Sequence, residues 1–302
     1  MLGARTDVGR VRKNNEDNYC ALLAPNTPRG VGGVLAVADG VGGHQAGERA
    51  SQMAVEGVTR LLGKNSASAG RGMSPKQREK QLSEAAVKIN GDVFAAANTA
   101  SSRGMGTTLS MAVVEGDTVS IGHVGDSRIY LHRNGALAQL TPDHSWVAEE
   151  IARGAMTPEE GARHPRRNLL TRAVGTQPAV EPTTLSVSLE PGDMLLLCSD
   201  GLHGLVKDER IAAVLSSKEP GQAAQVLVDM ANSAGGTDNV TAIVAKVVSV
   251  DLLPDKLWGD SNVETVTAED AVVSSVPPPG SPALFGRLAR RIGRGIGRLG
   301  QR

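Results

Sequence analysis

The amino-acid sequence predicts an α+β fold in which layers of strands pack against pairs of helices. Short apolar runs rich in branched residues end in glycine, asparagine or aspartate turns, which is the pattern of strands. Four longer stretches repeat apolar residues at helical spacing, over 47–62, 74–96, 208–215 and 222–232. Because the strands occur in groups and do not alternate one by one with helices, the order favours layered sheets and helices over βαβ units.

The composition narrows the class of protein. The 302 residues contain 32 basic and 32 acidic side chains, so the overall charge gives no indication of nucleic-acid binding. Cys20 and Cys198 lie in apolar runs and are predicted to be reduced core thiols, since two cysteines define no disulfide framework. The first residues lack the apolar core of a signal peptide, and no apolar run approaches the ~20 residues of a membrane-spanning helix. We therefore expect a soluble, cytoplasmic protein.

The first third of the chain predicts a hairpin followed by two helices. Residues 19–24 and 34–38 are apolar and are separated by a turn rich in Pro, Asn and Gly, which favours a hairpin. The first helix pattern covers 47–62 and is followed by a polar Gly/Ser loop. The second helix is expected to open at Ser74-Pro75, because proline fits the first helical position.

The middle of the chain predicts two more hairpins and a flap. Gly116-Asp117 and Asn134-Gly135 are tight-turn pairs between apolar runs, and each favours a hairpin. From Thr141 to Pro182 the pattern loosens to one short helix, 146–153, and a polar segment rich in Arg, His and Pro. We interpret this region as a surface flap carrying basic residues, in which His144 is a candidate for substrate contact.

The last part of the chain divides into a closing strand, a linker and a tail. Strands are predicted at 185–189, 194–198 and 240–248, which closes a first domain of residues 1–248. The segment 249–282 is interpreted as an acidic, proline-containing linker. The tail, 283–302, holds six arginines, five glycines and no acid.

Two interpretations of this tail are open. Its Leu and Ile residues at near-helical spacing suit an amphipathic basic helix on an anionic membrane or an acidic protein surface. Each glycine weakens such a helix by roughly 1 kcal/mol, so a disordered basic tail is favoured.

Five turns of the sequence carry acidic residues at or near the end of an apolar run, at 14–18, 39–44, 126–128, 199–201 and 235–239. One such turn alone is explained equally well by a strand that ends in an Asp-capped glycine turn. Five of them indicate a shared site for hard cations, because carboxylates bind these ions and glycine lets the backbone approach closely. The candidate ligands are all oxygens, and the sequence has no Cys and His residues at the spacing of a zinc site. Such a ligand set favours Mg²⁺ or Mn²⁺ over zinc.

Arg12 lies five residues before Asp17, so an extended segment places it beside the first acidic turn. An arginine is usually a solvated surface charge. A cation next to an acidic cluster is useful only where an anion binds, which makes Arg12 a candidate for substrate binding.

The motifs occur in an order that resembles a known family. They are Thr6-Asp7-x-Gly9-x-x-Arg12-x-x-Asn15-Glu16-Asp17, Asp39-Gly40-Val-Gly-Gly-His44, Gly106-Thr107-Thr108, Val124-Gly-Asp126-Ser-Arg128, Ser199-Asp200-Gly201 and Thr237-Asp238-Asn239. Over residues 3–248 the chain resembles the bacterial branch of the protein phosphatase 2C family, the metal-dependent Ser/Thr phosphatases. The resemblance implies a central sandwich of two antiparallel β-sheets flanked by pairs of helices, a four-layer arrangement with the site at one end between the sheets.

The resemblance also implies two Mn²⁺ or Mg²⁺ ions, with a weaker third. Asp39 is expected to bridge the pair, Asp200 and Asp238 to bind the first ion and the Gly40 carbonyl the second. Asp126 resembles the residue that, with Asp200, binds the third ion, whereas two acids of the first turn act mainly through water. The full set of expected metal-binding residues is Glu16, Asp17, Asp39, Gly40, Asp126, Asp200 and Asp238.

Other positions gain roles from the same resemblance. Arg12 is expected to clamp the phosphate, since its planar fork matches phosphate oxygens. His44 matches the position of a general acid for the leaving alkoxide, although a histidine in a glycine turn often only bonds to backbone. Asn239 is expected to fix Asp238 or a water. Thr237 and Ser199 are expected to orient carboxylates, and the absence of a Gly-x-Ser-x-Gly elbow argues against a serine nucleophile.

The implied activity is hydrolysis of phosphoserine and phosphothreonine on proteins, by water activated at a Mn/Mg centre. The partners are then phosphoproteins, among them a Ser/Thr kinase that the enzyme opposes, and the chain is expected to be a monomer that binds no nucleic acid. One alternative is a non-catalytic, phospho-dependent regulatory protein of the same fold, which loss of a metal-binding Asp or of Arg12 would favour. The other is a hydrolase of small phosphate esters.

Overall fold

The fold is built from two antiparallel sheets with helices on the outer face of each. The computed structural model describes residues 1–42, 45–66, 72–97 and 104–250. Its strands are β1 (Leu2–Asp7), β2 (Asp17–Leu23), β3 (Val31–Val41), β4 (Gly106–Thr107), β5 (Leu109–Glu115), β6 (Thr118–Val124), β7 (Arg128–Arg133), β8 (Ala136–Gln139), β9 (Thr183–Ser188), β10 (Met194–Cys198) and β11 (Val240–Lys246). Its helices are α1 (Gln45–Leu62), α2 (Pro75–Ala97), α3 (Trp146–Ala152), α4 (Pro158–Arg163), α5 (Asp200–His203), α6 (Asp208–Ser217) and α7 (Pro220–Ser233).

The strand order defines the two sheets. One sheet runs β1-β11-β10-β7-β8, and the other runs β2-β3-β5-β6-β9 with the two-residue β4 beside β3. All strand pairs are antiparallel. Helices α1 and α2 pack on the second sheet, and α6 and α7 pack on the first. The predicted four-layer sandwich is confirmed.

Strand β3 shows why the central strands are apolar throughout. Side chains alternate between the two faces of a strand. Val34 and Ala36 therefore pack against the helices α1 and α2, while Leu35 and Val37 pack between the sheets. Strand β10 divides in the same way, with Leu196 facing its helix layer. Both faces of each sheet are covered by other layers of the fold. The side chains that these layers cover on both faces of β3 and β10 are therefore apolar, and these strands do not alternate between apolar and polar residues.

The predicted turn chemistry is present in the structure. Asn134 and Gly135 both have positive φ, 51° and 82°, as a two-residue hairpin turn of type I′ requires. At the start of α2 the Ser74 hydroxyl accepts a hydrogen bond from the Gln77 amide at 3.3 Å, and the Gln77 side chain accepts one from the Ser74 amide at 2.9 Å. This reciprocal pair is a capping box, which fixes the helix start next to Pro75.

Four elements were not predicted from the sequence: β1, β4, α4 and α5. Helix α4 carried a readable signal, because Thr157 and Glu160 form a capping box around Pro158. Strand β1 has no comparable local signal, since its extended state depends on pairing with β11 at the other end of the chain. The helix predicted over 146–153 is confirmed as α3.

Two further expectations concern cysteines and membranes. Cys20 and Cys198 are free and buried, as predicted. Within the described residues, no helix combines the length and apolarity needed to cross a membrane. The linker and tail predicted after residue 250 lie outside the described residues.

A buried ion pair closes the sandwich at the end away from the acidic turns. Arg133, at the end of β7, donates to both carboxylate oxygens of Asp193, which precedes β10. Only 8% of the Arg133 side chain and 1% of the Asp193 side chain are exposed. Removing one partner of such a pair leaves an uncompensated buried charge, which costs about 3–5 kcal/mol.

His123, on β6, is a fully buried titratable group of the core. Its Nε2 donates to the Pro142 carbonyl at 2.9 Å, and its Nδ1 lies 2.9 Å from the Ser110 hydroxyl. Burial lowers the pKa of His123 to about 4. The imidazole is therefore neutral in the folded protein at neutral pH.

Acidification should destabilise the wild-type protein more than a His123→Gln variant, which keeps a donor for Pro142. The unfolded imidazole titrates near 6.5 and the folded one near 4. The stability from the neutral imidazole is therefore complete above pH 6.5 and is lost as the pH falls through that window. Between pH 7 and pH 5 we expect the wild type to lose about 2 kcal/mol more than the variant, in urea unfolding followed by circular dichroism. Equal losses in both proteins would contradict this prediction.

Candidate active site

The acidic turns of the sequence meet at one end of the sandwich, where they line a pocket of about 220 Å³. Each belongs to a different strand end, so the site exists only after both sheets have formed. The pocket is lined by Arg12, Glu16, Asp39, Gly40, Val41, Gly42, Thr108, Asp126, Asn168, Leu170, Asp200, Asp238 and Asn239.

Strand alternation directs two carboxylates into the space between the sheets. Asp39 continues the face of Leu35 and Val37, which pack between the sheets. Asp17 stands directly opposite Asp39 in the pairing of β2 with β3. Tyr19 on the same face of β2 packs against the inter-sheet core. The two acids are therefore the polar end of an otherwise apolar layer.

Asp17 is held from the opposite sheet by two hydroxyls. Its Oδ2 accepts hydrogen bonds from Ser199 Oγ and from Thr241 Oγ1, each at 2.7 Å. Its Oδ1 is buried and has no hydrogen-bond partner. One oxygen is thus fixed, while the other is left without a partner and can accept a hydrogen bond or bind a cation. The expected orienting role of Ser199 agrees with this contact, and Thr241 is a residue that the sequence analysis missed.

Asn239 anchors the loop that carries Arg12 and Glu16. Its side-chain amide donates to the carbonyls of Val8 and Asn14, at 3.0 and 2.9 Å, and its Oδ1 accepts from the Glu16 amide at 2.8 Å. The expectation that Asn239 fixes Asp238 or a water agrees with one contact, since the Asn239 backbone amide donates to Asp238 Oδ1 at 2.9 Å. The Asn239 side chain is used for the loop instead.

Arg12 lies at the mouth of the pocket with its side chain half exposed. Its Nη2 donates to Asp238 Oδ2 at 2.7 Å, and 51% of the side chain remains accessible. The guanidinium is therefore held next to the carboxylates without being enclosed by them.

The turn that carries Asp126 is fixed by two histidines. His203, one turn after Asp200 in α5, donates from Nε2 to the Asp126 carbonyl at 3.0 Å. His144 accepts from the Gly125 amide through Nδ1 at 3.1 Å, and its Nε2 contacts the Thr183 hydroxyl at 2.9 Å. His144 is buried, so its predicted contact with substrate is corrected to a structural role.

The flap closes one side of the pocket. Its first segment pairs with its later part, because the Trp146 amide donates to the Leu169 carbonyl and Ser145 forms a bridge with Leu170. This pairing places Asn168 and Leu170 in the pocket wall. Neither residue was predicted, since no local pattern links them to the acidic turns.

Close backbone approach at the site requires glycine at particular points. A Cβ at Gly201 would lie 2.0 Å from the Asn239 carbonyl oxygen, and one at Gly47 would lie 2.0 Å from Glu16 Oε2. A side chain at either position would displace backbone or a site carboxylate.

The carboxylates of the pocket repel one another. Burial raises the pKa of Asp17 to about 7, with the charges of Asp200 and Asp238 acting in the same direction and the two hydroxyls opposing. Burial, and then the charge of Asp200, raise the pKa of Asp126 to about 7. Burial and then Asp238 raise the pKa of Asp200 to about 6. The pKa of Asp39 lies well above its usual range, because of burial and the carboxylates around it.

These residues fit divalent cations. Like charges buried together need a counter-charge, and Arg12 is the only basic side chain among the pocket-lining residues of the described chain. The unpartnered Asp17 oxygen and the all-oxygen donor set suit Mg²⁺ or Mn²⁺. Within the described residues, no three carboxylate, imidazole or thiol groups converge into a preformed shell. Such a shell is not required, because these ions, Mg²⁺ above all, keep several waters as ligands.

The structure brings together most of the predicted site residues. Six of the seven expected metal-binding residues line the pocket, and Asp17 is paired with Asp39 on the neighbouring strand. His44 lies outside the described residues. Thr237 is exposed, and its side chain makes no hydrogen bond within the described part of the chain. The expected orienting role therefore belongs to Thr241, which holds Asp17, and not to Thr237.

Comparisons with a family model and with known proteins all identify similarity to phosphatases. The family model described as "Protein phosphatase 2C" matches residues 13–243. The serine/threonine phosphatase stp of Listeria monocytogenes is 39% identical over 245 residues, covering 80% of this chain and 94% of the relative. The serine/threonine protein phosphatase PstP of Mycobacterium tuberculosis is 40% identical over 294 residues, covering 91% of this chain and 54% of the relative.

A solved structure agrees with the sequence comparison. The catalytic domain of the serine threonine protein phosphatase PstP in complex with two manganese ions matches 82% of this chain and 98% of its own length. The TM-score is 0.71 at 37% sequence identity.

Substituting Asp39 by Asn should stabilise the metal-free protein, because it removes one of several buried charges that repel each other. In excess chelator we expect a gain of about 1 kcal/mol or more, which is roughly 2–4 °C in melting temperature. Mn²⁺ should raise the melting temperature of the wild type more than that of the variant. Asp229→Asn, at an exposed carboxylate of α7, is the matched control. It should change neither the melting temperature in chelator nor the increase that Mn²⁺ produces. A lower melting temperature of Asp39→Asn in chelator would show that repulsion does not dominate this pocket.

Proposed function

The chain belongs to the protein phosphatase 2C family and is a serine/threonine protein phosphatase, and we propose that the acidic pocket is its active site. The observation that supports this most strongly is the convergence of carboxylates from four strand ends and a loop on one pocket with Arg12 at its mouth. The proposed reaction is hydrolysis of phosphoserine and phosphothreonine on proteins. Phosphate monoesters are among the slowest substrates to hydrolyse without a catalyst, so the site has a large barrier to lower.

The family is metal-dependent, and the residues that would hold the ions follow from the pocket. Asp39, the Gly40 carbonyl, Asp200 and Asp238 would hold the ions, and Glu16 and Asp17 would act mainly through bound water. When bound, a pair of divalent cations lowers the pKa of water and neutralises charge that develops in the displacement. Mn²⁺ and Mg²⁺ both suit this donor set, and a weaker third ion between Asp126 and Asp200 is part of the proposal.

Arg12 is proposed to bind the phosphate. A guanidinium offers two parallel N–H donors that match two phosphate oxygens, which a lysine ammonium does not. The salt bridge with Asp238 holds this charge at the pocket mouth before substrate binds. The general acid role of His44 stays a prediction.

Several neighbours are proposed to position the reacting groups. The hydroxyls of Ser199 and Thr241 hold one oxygen of Asp17, which leaves the other directed to a ligand. Asn239 fixes the backbone of Glu16 and the loop that ends in it. Each contact joins residues far apart in sequence, so the site is held by the fold and not by one loop.

The two alternatives lack a supporting feature. A non-catalytic relative would be expected to have lost a metal-binding aspartate or Arg12, and the chain retains all of them. No feature of the pocket favours a hydrolase confined to small esters, and the relatives that match most of this chain are named as serine/threonine phosphatases. We propose phosphoproteins as partners, including a Ser/Thr kinase that the phosphatase opposes, with residues 1–248 as the catalytic domain.

Phosphate release from a phosphothreonine peptide should require Mn²⁺ or Mg²⁺ and should stop in excess chelator. Asp200→Asn should reduce release by at least about 100-fold without unfolding the protein, because the pocket loses a charged metal ligand. Asp229→Asn is the control and should retain full activity. Phosphate release without metal, or full turnover by Asp200→Asn, would contradict the proposal that this pocket is a metal-dependent active site.

Arg12→Lys should lower kcat/KM for the same peptide by about 10–100-fold, because an ammonium offers no bidentate match to phosphate. Arg29→Lys is the matched control. Arg29 is exposed and precedes β3, at the opposite end of that strand from Asp39. Steady-state kinetics at saturating Mn²⁺ measure both variants, and equal kcat/KM values would remove Arg12 from the phosphate site.

A further inference from the structure

Two basic segments border the acidic pocket. The loop of residues 8–13 contains Arg10, Arg12 and Lys13 and no acid, and all three basic residues are exposed. Arg12 lines the pocket itself, and the Arg10 amide bonds to the Gly236 carbonyl at 2.7 Å, next to the loop of Asp238. We call residues 8–13 the loop rim.

The second segment belongs to the flap. Residues 161–172 contain four arginines and no acid. Arg166 and Arg167 directly precede Asn168, which lines the pocket, so these charges stand at its edge. We call residues 161–172 the flap rim.

The flap rim has a defined structure. The ring of Trp146 lies 4.8 Å from that of His164, and the Arg166 guanidinium lies 5.5 Å from the centre of the Trp146 ring. The Arg167 amide donates to the His164 carbonyl at 3.0 Å. Helix α4 begins with a capping box and ends at Arg163. The arginines are therefore displayed on an ordered turn, which lowers the entropy cost of using them in binding.

Arg12 pairs with Asp238, whereas other basic residues of the two rims have no acidic partner within the described residues. In the described parts of the chain, Arg10, Lys13, Arg163 and Arg167 form no ion pair. Arg153 of the same flap, in contrast, pairs with two glutamates of α3. The rim charges are thus available to a ligand.

Each rim also exposes an apolar side chain. Val11 is 66% exposed on the loop rim and Leu169 is 49% exposed on the flap rim. Such side chains give an extended peptide apolar contacts on both segments. The pocket thus has carboxylates at its base, where cations would bind, and basic residues around its opening. Val11 and Leu169 are exposed apolar side chains within this basic border.

We propose that the loop rim and the flap rim form a specificity surface for phosphoprotein segments with acidic residues next to the phosphorylated serine or threonine. Carboxylates beside the phosphoresidue would meet the unpaired Lys13 and Arg167, whereas basic neighbours would be repelled. Charge complementarity across an exposed border acts over about one Debye length, so the preference must weaken with salt. This inference rests on the proposed phosphatase function and adds the substrate class.

The test compares two phosphothreonine peptides that differ only in their flanking residues, three glutamates or three lysines on each side, with p-nitrophenyl phosphate as a small ester. At saturating Mn²⁺ and low salt, the wild type should show a kcat/KM about ten-fold higher for the acidic peptide, mostly through KM. This ratio should shrink in 0.5 M NaCl. The double variant Lys13→Glu/Arg167→Glu should lose about ten-fold in the ratio of acidic peptide to small ester. Arg29→Glu, an exposed charge reversal at the opposite end of β3, should keep the wild-type ratio.

The possible results separate the two proposals. If the wild type cleaves both peptides equally, or prefers the basic one, the rim proposal is overturned and the phosphatase function stands. If it cleaves neither peptide and not the small ester, the function itself is wrong. If the double variant is misfolded by circular dichroism, the single variants Lys13→Gln and Arg167→Gln replace it. Unchanged ratios in well-folded variants would also overturn the rim proposal.

Discussion

Repulsion among buried carboxylates is the constraint on which the functional end of this protein depends. Asp17, Asp39, Asp126 and Asp200 lie close together where water cannot fully screen them. Burial, and then the charges of the neighbouring carboxylates, raises the pKa of each. A fold does not collapse around such a group unless other interactions hold it in place. Here those interactions are the apolar layers of the sandwich, and the same repulsion favours the proposed binding of cations.

The sandwich supplies the opposing forces in layers. In the described part of the chain, three apolar clusters lie between the sheets and under each pair of helices, so the central strands are buried on both faces. At the far end the Arg133–Asp193 pair fastens β7 to the start of β10. At the near end, β7 begins just after the turn of Asp126, and β10 ends just before the turn of Asp200. The stabilising ion pair and the site carboxylates thus lie at opposite ends of the same two strands.

The pocket border adds a second level of selection to this chemistry. The cations need only the acidic floor of the pocket, and the phosphate needs the floor together with Arg12, which any phosphate ester could reach. The other residues of the loop rim and the flap rim surround this pocket, and Lys13 and Arg167 among them carry positive charge without an ion-pair partner in the described parts of the chain. A separation of floor and border lets the reaction stay fixed while the preferred peptide changes with a few surface residues.

The strongly patterned parts of this protein can be predicted from local sequence alone. The hairpins at Gly116-Asp117 and Asn134-Gly135 and both helix pairs follow from turn chemistry and periodicity, which are local properties. The acidic turns and Arg12 were also readable, since their residue types and order are visible in the chain. Only the tertiary structure decided the remaining parts. Strand β1 is extended because it pairs with β11, and Thr241 reaches Asp17 across 224 positions of sequence. Asn168 enters the pocket wall through the pairing of two flap segments. Such contacts arise when distant strands come together between the sheets, and local periodicity contains no information about which distant residue will be opposite.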